Sequence, residues 1–411
     1  MLRGTASRLG QRAQVTSPGV STPLRVALDA TPLLGPLTGV GEFCSGTLEA
    51  LSRRPDLAVS AFAVSWRQRH RMDGLIPPGV RAVTRAMPAR PLHRAWSRSS
   101  HPAIELFTGP IDVVHGTNYV VPPARRAARV VSVHDLYTVH FPHLCDPSTL
   151  IFPDLVRRAV SGGAWVHTDS HFVAREVVEV LGVPADRVRA VHLGIPRSPT
   201  APVPAGAPVP GVPSPLPPGS PLPPGAERYI LCLGTIEPRK DLPSLVAAFD
   251  HVAHQLDDLW LVVAGRDGWG TERFEEALAA LSPVASRRVV RTGYVDAPRR
   301  ASLLASATVF AYPSLYEGFG FPPLEAMAAG IPVVATRAGS VPEVCGDAAL
   351  LVEPGDVEAL AAALCRVAGD PAARGDLVER GRVRRQAFSW EACAAGLSEL
   401  YRDACDARLA S

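Results

Sequence analysis

Short apolar runs recur along this chain. Each ends in a polar or glycine-rich step and is followed by a stretch with helical spacing. In the first half the runs cover residues 24–28, 57–64, 111–115, 129–133, 164–167 and 188–191. In the second half they cover 229–233, 259–264, 289–292, 308–311 and 332–336. Runs this short, with little polar alternation, read as strands buried on both faces of a parallel sheet. Residues 42–51, 173–181, 242–256, 324–329 and 357–367 read as helices, and 389–407 as a last one. Strands alternating with helices predict βαβ units and an α/β fold. Residues 67–98, rich in arginine, give no clear element.

One segment breaks the alternation. Residues 199–224 hold 12 prolines among 26 positions, with Gly, Ala and Ser between them. Such a stretch reads as a semi-rigid polyproline II spacer that does not pack into a core. It divides the chain into a tail at 1–24, a first domain at 25–197, a linker at 198–227, a second domain at 228–388 and a last helix at 389–411.

Polar residues directly after parallel strands lie at the carboxyl edge of the sheet, where ligands bind. His134, Asp135 and Ser170 hold such positions, although a lone histidine is more often structural. Gly39 and Gly41, in LTGVGEF, place a glycine turn between the first strand and its helix. This is weaker than a full G-x-G-x-x-G.

Residues 312–330, YPSLYEGFGFPPLEAMAAG, organise the rest. A strand ends, a glycine loop follows, Pro322-Pro323 opens a helix where a missing N–H costs nothing, and Gly330 closes it. Gly318 and Gly320 would let backbone N–H groups approach a ligand, with Phe319 between them. The helix start favours a phosphate or polar sugar. Glu317 and Glu325 bracket the loop, Glu325 being placed in the first turn, and a carboxylate can accept hydrogen bonds from vicinal sugar hydroxyls.

A second loop, GTIEPRKDL from Gly234, carries Arg239-Lys240. Lys240 is the one lysine among 42 basic residues. An arginine fork clasps phosphate oxygens and a lysine acts as a compact charge beside it. The plainer alternative is a solvated surface pair on an exposed loop. Tyr294 and Val295 follow the strand at 289–292 and reach the same edge.

The run EGFGFPPLE resembles the E-x7-E signature of retaining GT-B glycosyltransferases of the family-4 type. GTIEPRKDL is similar to that family's donor-diphosphate loop, VHDLYTVHFP to its segment with a histidine aimed at the donor sugar, and LTGVGEF to its first glycine loop. The resemblance spans residues 25–407 outside the proline-rich insert and is more specific in the second half. It implies two Rossmann-like domains facing across a cleft, with the last helix crossing back to the first domain. It implies Arg239, Lys240, Glu317 and His134 as the catalytic set. It implies Gly39, Gly41, Gly234, Tyr294, Val295, Gly318, Phe319, Gly320 and Glu325 as the donor-binding set. Glu317 would meet the sugar, Glu325 the ribose, and the two cations the leaving diphosphate. Asp241 stands where the family often has Asn, which would add a negative charge near the phosphates. The co-substrate implied is a nucleotide-diphosphate sugar, first of all GDP-mannose, and the acceptor a glycan or a lipid-linked sugar. No cofactor and no metal is expected, and the chain has no D-x-D after a strand.

Composition changes this picture little. Residues 1–197 carry 23 arginines against 14 acids, a net of +9; residues 198–411 carry 19 basic against 25 acidic groups, a net of −6. A basic first half suits an anionic membrane or a phosphorylated acceptor, or is simply a solvated arginine surface. Nucleic acid is not an expected partner. No run reaches the ~18 to 20 apolar residues of a membrane span. Seven unpatterned cysteines suggest reduced thiols and a cytoplasmic protein, docked peripherally at the membrane if the basic surface serves that purpose. Three other readings stay open: a glycoside hydrolase using Glu317 and Glu325, a non-catalytic nucleotide-sugar-binding module, and an epimerase, whose acids would not follow the E-x7-E layout.

Overall fold

The computed structural model describes residues 22–35, 39–196, 222, 226 and 228–410. The apolar runs form two all-parallel sheets. The first contains β1 (Leu24–Asp29), β2 (Leu57–Phe62), β3 (Arg81–Val83), β4 (Val113–Gly116), β5 (Ala128–Val133), β6 (Trp165–Thr168) and β7 (Val188–Ala190), in the order β3-β2-β1-β4-β5-β6-β7. The second contains β8 (Arg228–Leu233), β9 (Leu259–Ala264), β10 (Val289–Gly293), β11 (Val309–Tyr312), β12 (Val333–Thr336) and β13 (Ala349–Val352), in the order β10-β9-β8-β11-β12-β13.

The strands are apolar throughout because both faces are covered. In the first sheet Val26, Leu28, Val113 and Val130 meet Phe43, Leu48 and Leu51 of the helix Gly39–Ser52. Ala27, Val114, Val131 and Val133 turn the other way, toward Val156, Val173 and Val177. One apolar cluster runs from this sheet through Leu193, Phe319, Phe388 and Trp390 into the second domain.

The last helix, Trp390–Ala410, packs on the first domain. Trp390 Nε1 donates to the Ile195 carbonyl at 2.9 Å, Ser398 Oγ to Asp56 at 3.1 Å, and Arg408 Nε to the Arg126 carbonyl at 2.8 Å. Tyr401, on the helix's inner face, is fully buried.

Several local expectations change. β3 lies inside the arginine-rich stretch without a clear element, and β13 follows a helix too short to stand out, Val341–Cys345. The first glycines do not form a turn: Gly39 and Gly41 are inside the helix Gly39–Ser52. Leu24, the last residue assigned to the tail, is the first of β1. The tail to residue 21 and nearly all of the proline-rich linker lie outside the described residues. Leu222 and Ala226, within that linker, are buried in the main apolar cluster, so its end packs where a free spacer was expected. Proline rigidity does not prevent a single Leu or Ala from burying its side chain.

Candidate active site

The steps after β5, β6, β8, β9, β10 and β11 converge on one cleft between the domains, about 490 Å3 in volume. Each sheet delivers its carboxyl edge there because every connection is a parallel crossover. His134, Arg239, Lys240, Glu317, Gly39, Gly234, Tyr294, Val295, Gly318, Phe319, Gly320 and Glu325 all line it. Gly41 does not; it is buried one residue past Val40 on the helix.

At the centre Glu317 is clamped by both cations. Its Oε1 accepts from Lys240 Nζ at 2.6 Å and its Oε2 from Arg239 NH1 at 2.7 Å. Arg239 also reaches Glu237 Oε1, 3.0 Å from its Nε, and Lys240 Nζ donates to Tyr312 Oη at 3.2 Å. Lys240 is 9% exposed, so the solvated surface pair on an exposed loop is overturned. Burial works to raise the Glu317 pKa, but Arg239 and then Lys240 hold it at about 2. The same acids keep Arg239 charged despite burial. With both oxygens committed, Glu317 has none free to attack an anomeric carbon, which disfavours the glycoside hydrolase.

The loop around Glu317 is fixed from behind. Ser340 Oγ lies within hydrogen-bond distance of the carbonyls of Glu317 and Phe319, at 3.1 and 2.9 Å, which share its one proton. Gly320 has φ +110°, a conformation that favours glycine. Gly318 answers a different need. A Cβ there would lie 1.7 Å from the His134 carbonyl oxygen, so glycine lets the second domain's loop lie against the first domain's backbone. Ser170 Oγ donates to the Gly318 carbonyl at 2.8 Å while accepting from Val173 N at 3.2 Å, so Ser170 is spent on this contact and on capping its helix.

His134 uses both ring nitrogens on protein partners: Nδ1 meets Asp169 Oδ2 at 2.6 Å and Nε2 meets the Thr117 carbonyl at 2.8 Å. A carbonyl only accepts, so Nε2 carries a proton. Burial lowers the pKa of this ring, but Asp169 outweighs it and raises it above the usual histidine value. What His134 offers the cleft is therefore a ring fixed by Asp169, with its nitrogens turned to protein.

Glu325 sits one residue beyond the first turn of the helix Phe321–Ala328, so the first-turn placement is corrected. It is held by Arg300 NH2 through Oε2. Burial lifts its carboxyl to about 7, opposed by Arg300 and aided by Glu42. Asp241 does not line the cleft. It has φ +43° just before the helix Leu242–Gln255, a left-handed position where Asp and Asn are both favoured. The backbone, and not phosphate chemistry, accounts for that residue type.

Sequence reasoning missed Arg300, Glu237 and Asp169 as members of the site. Arg300 and Glu325 are 25 positions apart with no shared motif, whereas Glu237 stood in plain view two residues before Arg239. It also missed a contact between the domains. Glu343 Oε1 accepts from His171 N at 2.8 Å and His192 Nε2 at 2.7 Å, and Oε2 from Phe172 N at 2.8 Å. His171, His192 and Glu343 bring potential metal-ligand atoms within 4.8 Å of one another. Both Glu343 oxygens are already occupied, so their present work is to join the domains.

Two domain patterns match the chain. "Glycosyltransferase Family 4" covers residues 37–198 and "Glycosyl transferases group 1" covers residues 227–370, one on each side of the cleft. O-antigen chain mannosyltransferase B of Escherichia coli is 30% identical over 299 residues, 71% of this chain and 74% of that protein. This chain belongs to the family-4 glycosyltransferases. A GDP-mannose-dependent monoacylated alpha-(1-6)-phosphatidylinositol monomannoside mannosyltransferase of Corynebacterium glutamicum is 33% identical over 171 residues, 39% of this chain and 44% of that protein. Among solved structures, a sucrose-phosphate synthase of Thermosynechococcus elongatus aligns over 94% of this chain and all of its own length, with a TM-score of 0.67 at 22% identity. That likeness shows the shared GT-B fold. This glycosyltransferase therefore has two Rossmann-like domains and acts on a nucleotide-sugar donor.

Proposed function

We propose that this glycosyltransferase moves mannose from GDP-mannose to a hydroxyl of a glycan or lipid-linked acceptor, with retention at the anomeric carbon and without a catalytic metal ion. The observation that carries this reading is the clamp of Arg239 and Lys240 at the floor of the cleft. The bond from the anomeric carbon to the diphosphate oxygen breaks, and the electron pair leaves with the phosphate. Arg239 and Lys240 meet the growing negative charge, the part a divalent ion plays elsewhere. The acceptor oxygen bonds to the anomeric carbon on the face the phosphate leaves, and its proton passes to a phosphate oxygen. Glu317 and Glu237 pair with the two cations, so a bound diphosphate competes with Glu317 for them. Mannose and its guanosine carrier rest on the names of the relatives, as does the lipid-linked acceptor. The test is product analysis with GDP-, UDP- and ADP-sugars, reading the anomeric configuration of the product with and without a chelator. An inverted product, or turnover lost with the chelator and restored by metal, would overturn the mechanism.

Glu325 supplies a further expectation. As the ribose ligand it accepts from the two hydroxyls only as a carboxylate, and its carboxyl sits at about 7. Donor affinity is therefore expected to fall as the pH is lowered through about 7. Glu325→Ala is expected to weaken donor binding by ~1.5 to 3 kcal/mol, the worth of a charged hydrogen bond. Titration calorimetry with GDP-mannose and its 2′,3′-dideoxy analogue checks this: the analogue binds wild type and variant alike. A variant that still favours the normal donor excludes Glu325 as the ribose ligand.

The +9 of the first 197 residues is assigned to docking on anionic lipid. Binding to phosphatidylglycerol vesicles is expected at low salt and to fall as salt rises, because exposed charges are screened within ~8 Å at physiological ionic strength. Binding indifferent to salt, or none, returns these arginines to a solvated surface.

A further inference from the structure

Three neighbouring strands of the first sheet each carry a polar residue where a buried face calls for an apolar one. On β4, β5 and β6 the residues His115, Ser132 and His167 share a face with Val113, Val130 and Trp165, two positions earlier on each strand. That face is covered by the helices Gly39–Ser52 and Trp390–Ala410, and all three polar residues are 0% exposed. Ser132 and His167 are direct partners in the sheet. Burying such groups is costly unless each is paired.

They are paired in a single line. Tyr401 Oη meets His115 Nδ1 at 2.7 Å, His115 Nε2 meets Ser132 Oγ at 2.8 Å, and Ser132 Oγ meets His167 Nδ1 at 2.9 Å. His167 Nε2 meets the Val191 carbonyl at 3.3 Å and lies 4.0 Å from Asp169 Oδ1. Burial makes both histidines neutral: His115 is pushed well below the usual value and His167 to about 4. Each ring therefore carries one proton, and every position along the line follows. The Val191 carbonyl only accepts, so His167 holds its proton on Nε2 and presents a bare Nδ1. Ser132 must donate to that Nδ1. Its oxygen then accepts from His115, which places the His115 proton on Nε2. The bare His115 Nδ1 accepts from Tyr401. All four donors point one way, and such aligned chains polarise one another.

The line ends on the Val191 carbonyl, and its last ring lies beside the cleft residue Asp169. His167 Nε2, its proton given to the Val191 carbonyl, lies 4.0 Å from Asp169 Oδ1, which is buried without a hydrogen-bond partner, while Asp169 Oδ2 holds His134. Asp169 and His134 both line the cleft. His134 is further surrounded by the Phe43 ring at 5.2 Å, the Tyr119 ring at 6.0 Å and the nearby Asp135.

We propose that Tyr401, His115, Ser132 and His167 are positioning residues for sugar transfer: their one-way chain of hydrogen bonds fixes the His167 ring, 4.0 Å from Asp169 Oδ1, and through the field of that ring on Asp169 it acts on His134 beside the donor. Tyr401 belongs to the last helix, so the docking of that helix is read out at the cleft. The chain's kinetic consequence rests on the transfer reading above; its proton positions do not.

The test uses full-length protein labelled with 15N in the histidine rings, together with Tyr401→Phe and Ser132→Ala. In the wild type, His115 and His167 are expected as neutral rings protonated on Nε2, and His134 with protons on both nitrogens. In the variants the His134 ring signals shift. With GDP-mannose, kcat falls on the order of 2- to 30-fold, the span of indirect coupling through packed networks, while KM stays within about twofold. Lower melting temperature with unchanged kcat and unchanged His134 signals would reduce the chain to a structural role. Opposite or mixed tautomers in the wild type would overturn it outright, and this measurement decides alone if a variant fails to fold. If the wild type transfers no sugar from any nucleotide sugar, the transfer reading falls, and the ring signals still answer for the chain.

Discussion

Lys240→Ala is expected to lower turnover by roughly 10²-fold or more, the usual effect of removing one preorganised donor from a developing anion. Lys240 is 9% exposed, and its ammonium reaches Glu317 at 2.6 Å and Tyr312 at 3.2 Å. That burial makes the loss large, because a charge this little exposed is weakly screened by solvent. It also adds a complication, since Glu317 keeps only Arg239 in the variant. Turnover must therefore be compared at a temperature where both proteins are folded. Lys240→Arg separates charge from shape: a partial recovery shows that charge matters, and a dead variant shows that the compact ammonium does. Near-normal turnover in Lys240→Ala would make the sole lysine incidental and remove the main support for metal-free phosphate departure.

Glu317→Ala is expected to cost about 3 kcal/mol of stability, the low end of the 3 to 5 kcal/mol for breaking a buried ion pair. The low end applies because Arg239 keeps Glu237, while Lys240 loses its carboxylate partner. The pKa leads to the same figure. Glu317 sits at about 2 when folded, against ~4.3 in an unfolded chain, and each unit is worth ~1.4 kcal/mol. A depressed carboxylate stabilises the fold above the unfolded pKa, and that contribution is lost as pH falls through the folded one. The difference between wild type and variant is therefore expected in full at pH 7, to shrink below about pH 4, and to be gone only below about pH 2. At about 2 to 4 °C per kcal/mol for a domain of this size, the melting temperature drops by roughly 6 to 12 °C at pH 7. Thermal unfolding across this pH range checks it. A variant as stable as wild type at pH 7 would mean that the two cations hold Glu317 without needing it.

The pattern of apolar runs led to most strands because a strand covered on both faces has little choice of residue. It failed for β3, which lies at a sheet edge and reads Arg81-Ala82-Val83, too short and too polar to stand out. The loop residues were legible for a related reason. A glycine loop between a strand and a proline-led helix has few uses, and Glu317, Gly318 and Gly320 advertised one of them. The reasons assigned to individual residues fared less well. Gly318 was read as making room for a ligand; it lines the cleft, and the close approach the structure shows there is to His134's backbone. Asp241 was read as charge near phosphate and instead holds a left-handed turn.

By itself, then, the sequence determined the two α/β domains, the loops that line the cleft and the family, since periodicity and short motifs are local properties. Only the tertiary structure decided which charges meet. Nothing in the order of residues says that Lys240 lies 2.6 Å from a carboxylate 77 positions away, or that Arg300 faces Glu325. Nor does it say that Tyr401 on the last helix sits on His115 of a strand 286 positions earlier. Strand periodicity assigns a residue to a face of its own sheet. Crossover connections and the return of the last helix set what that face meets, and burial then fixes the charge and proton positions of the groups brought together.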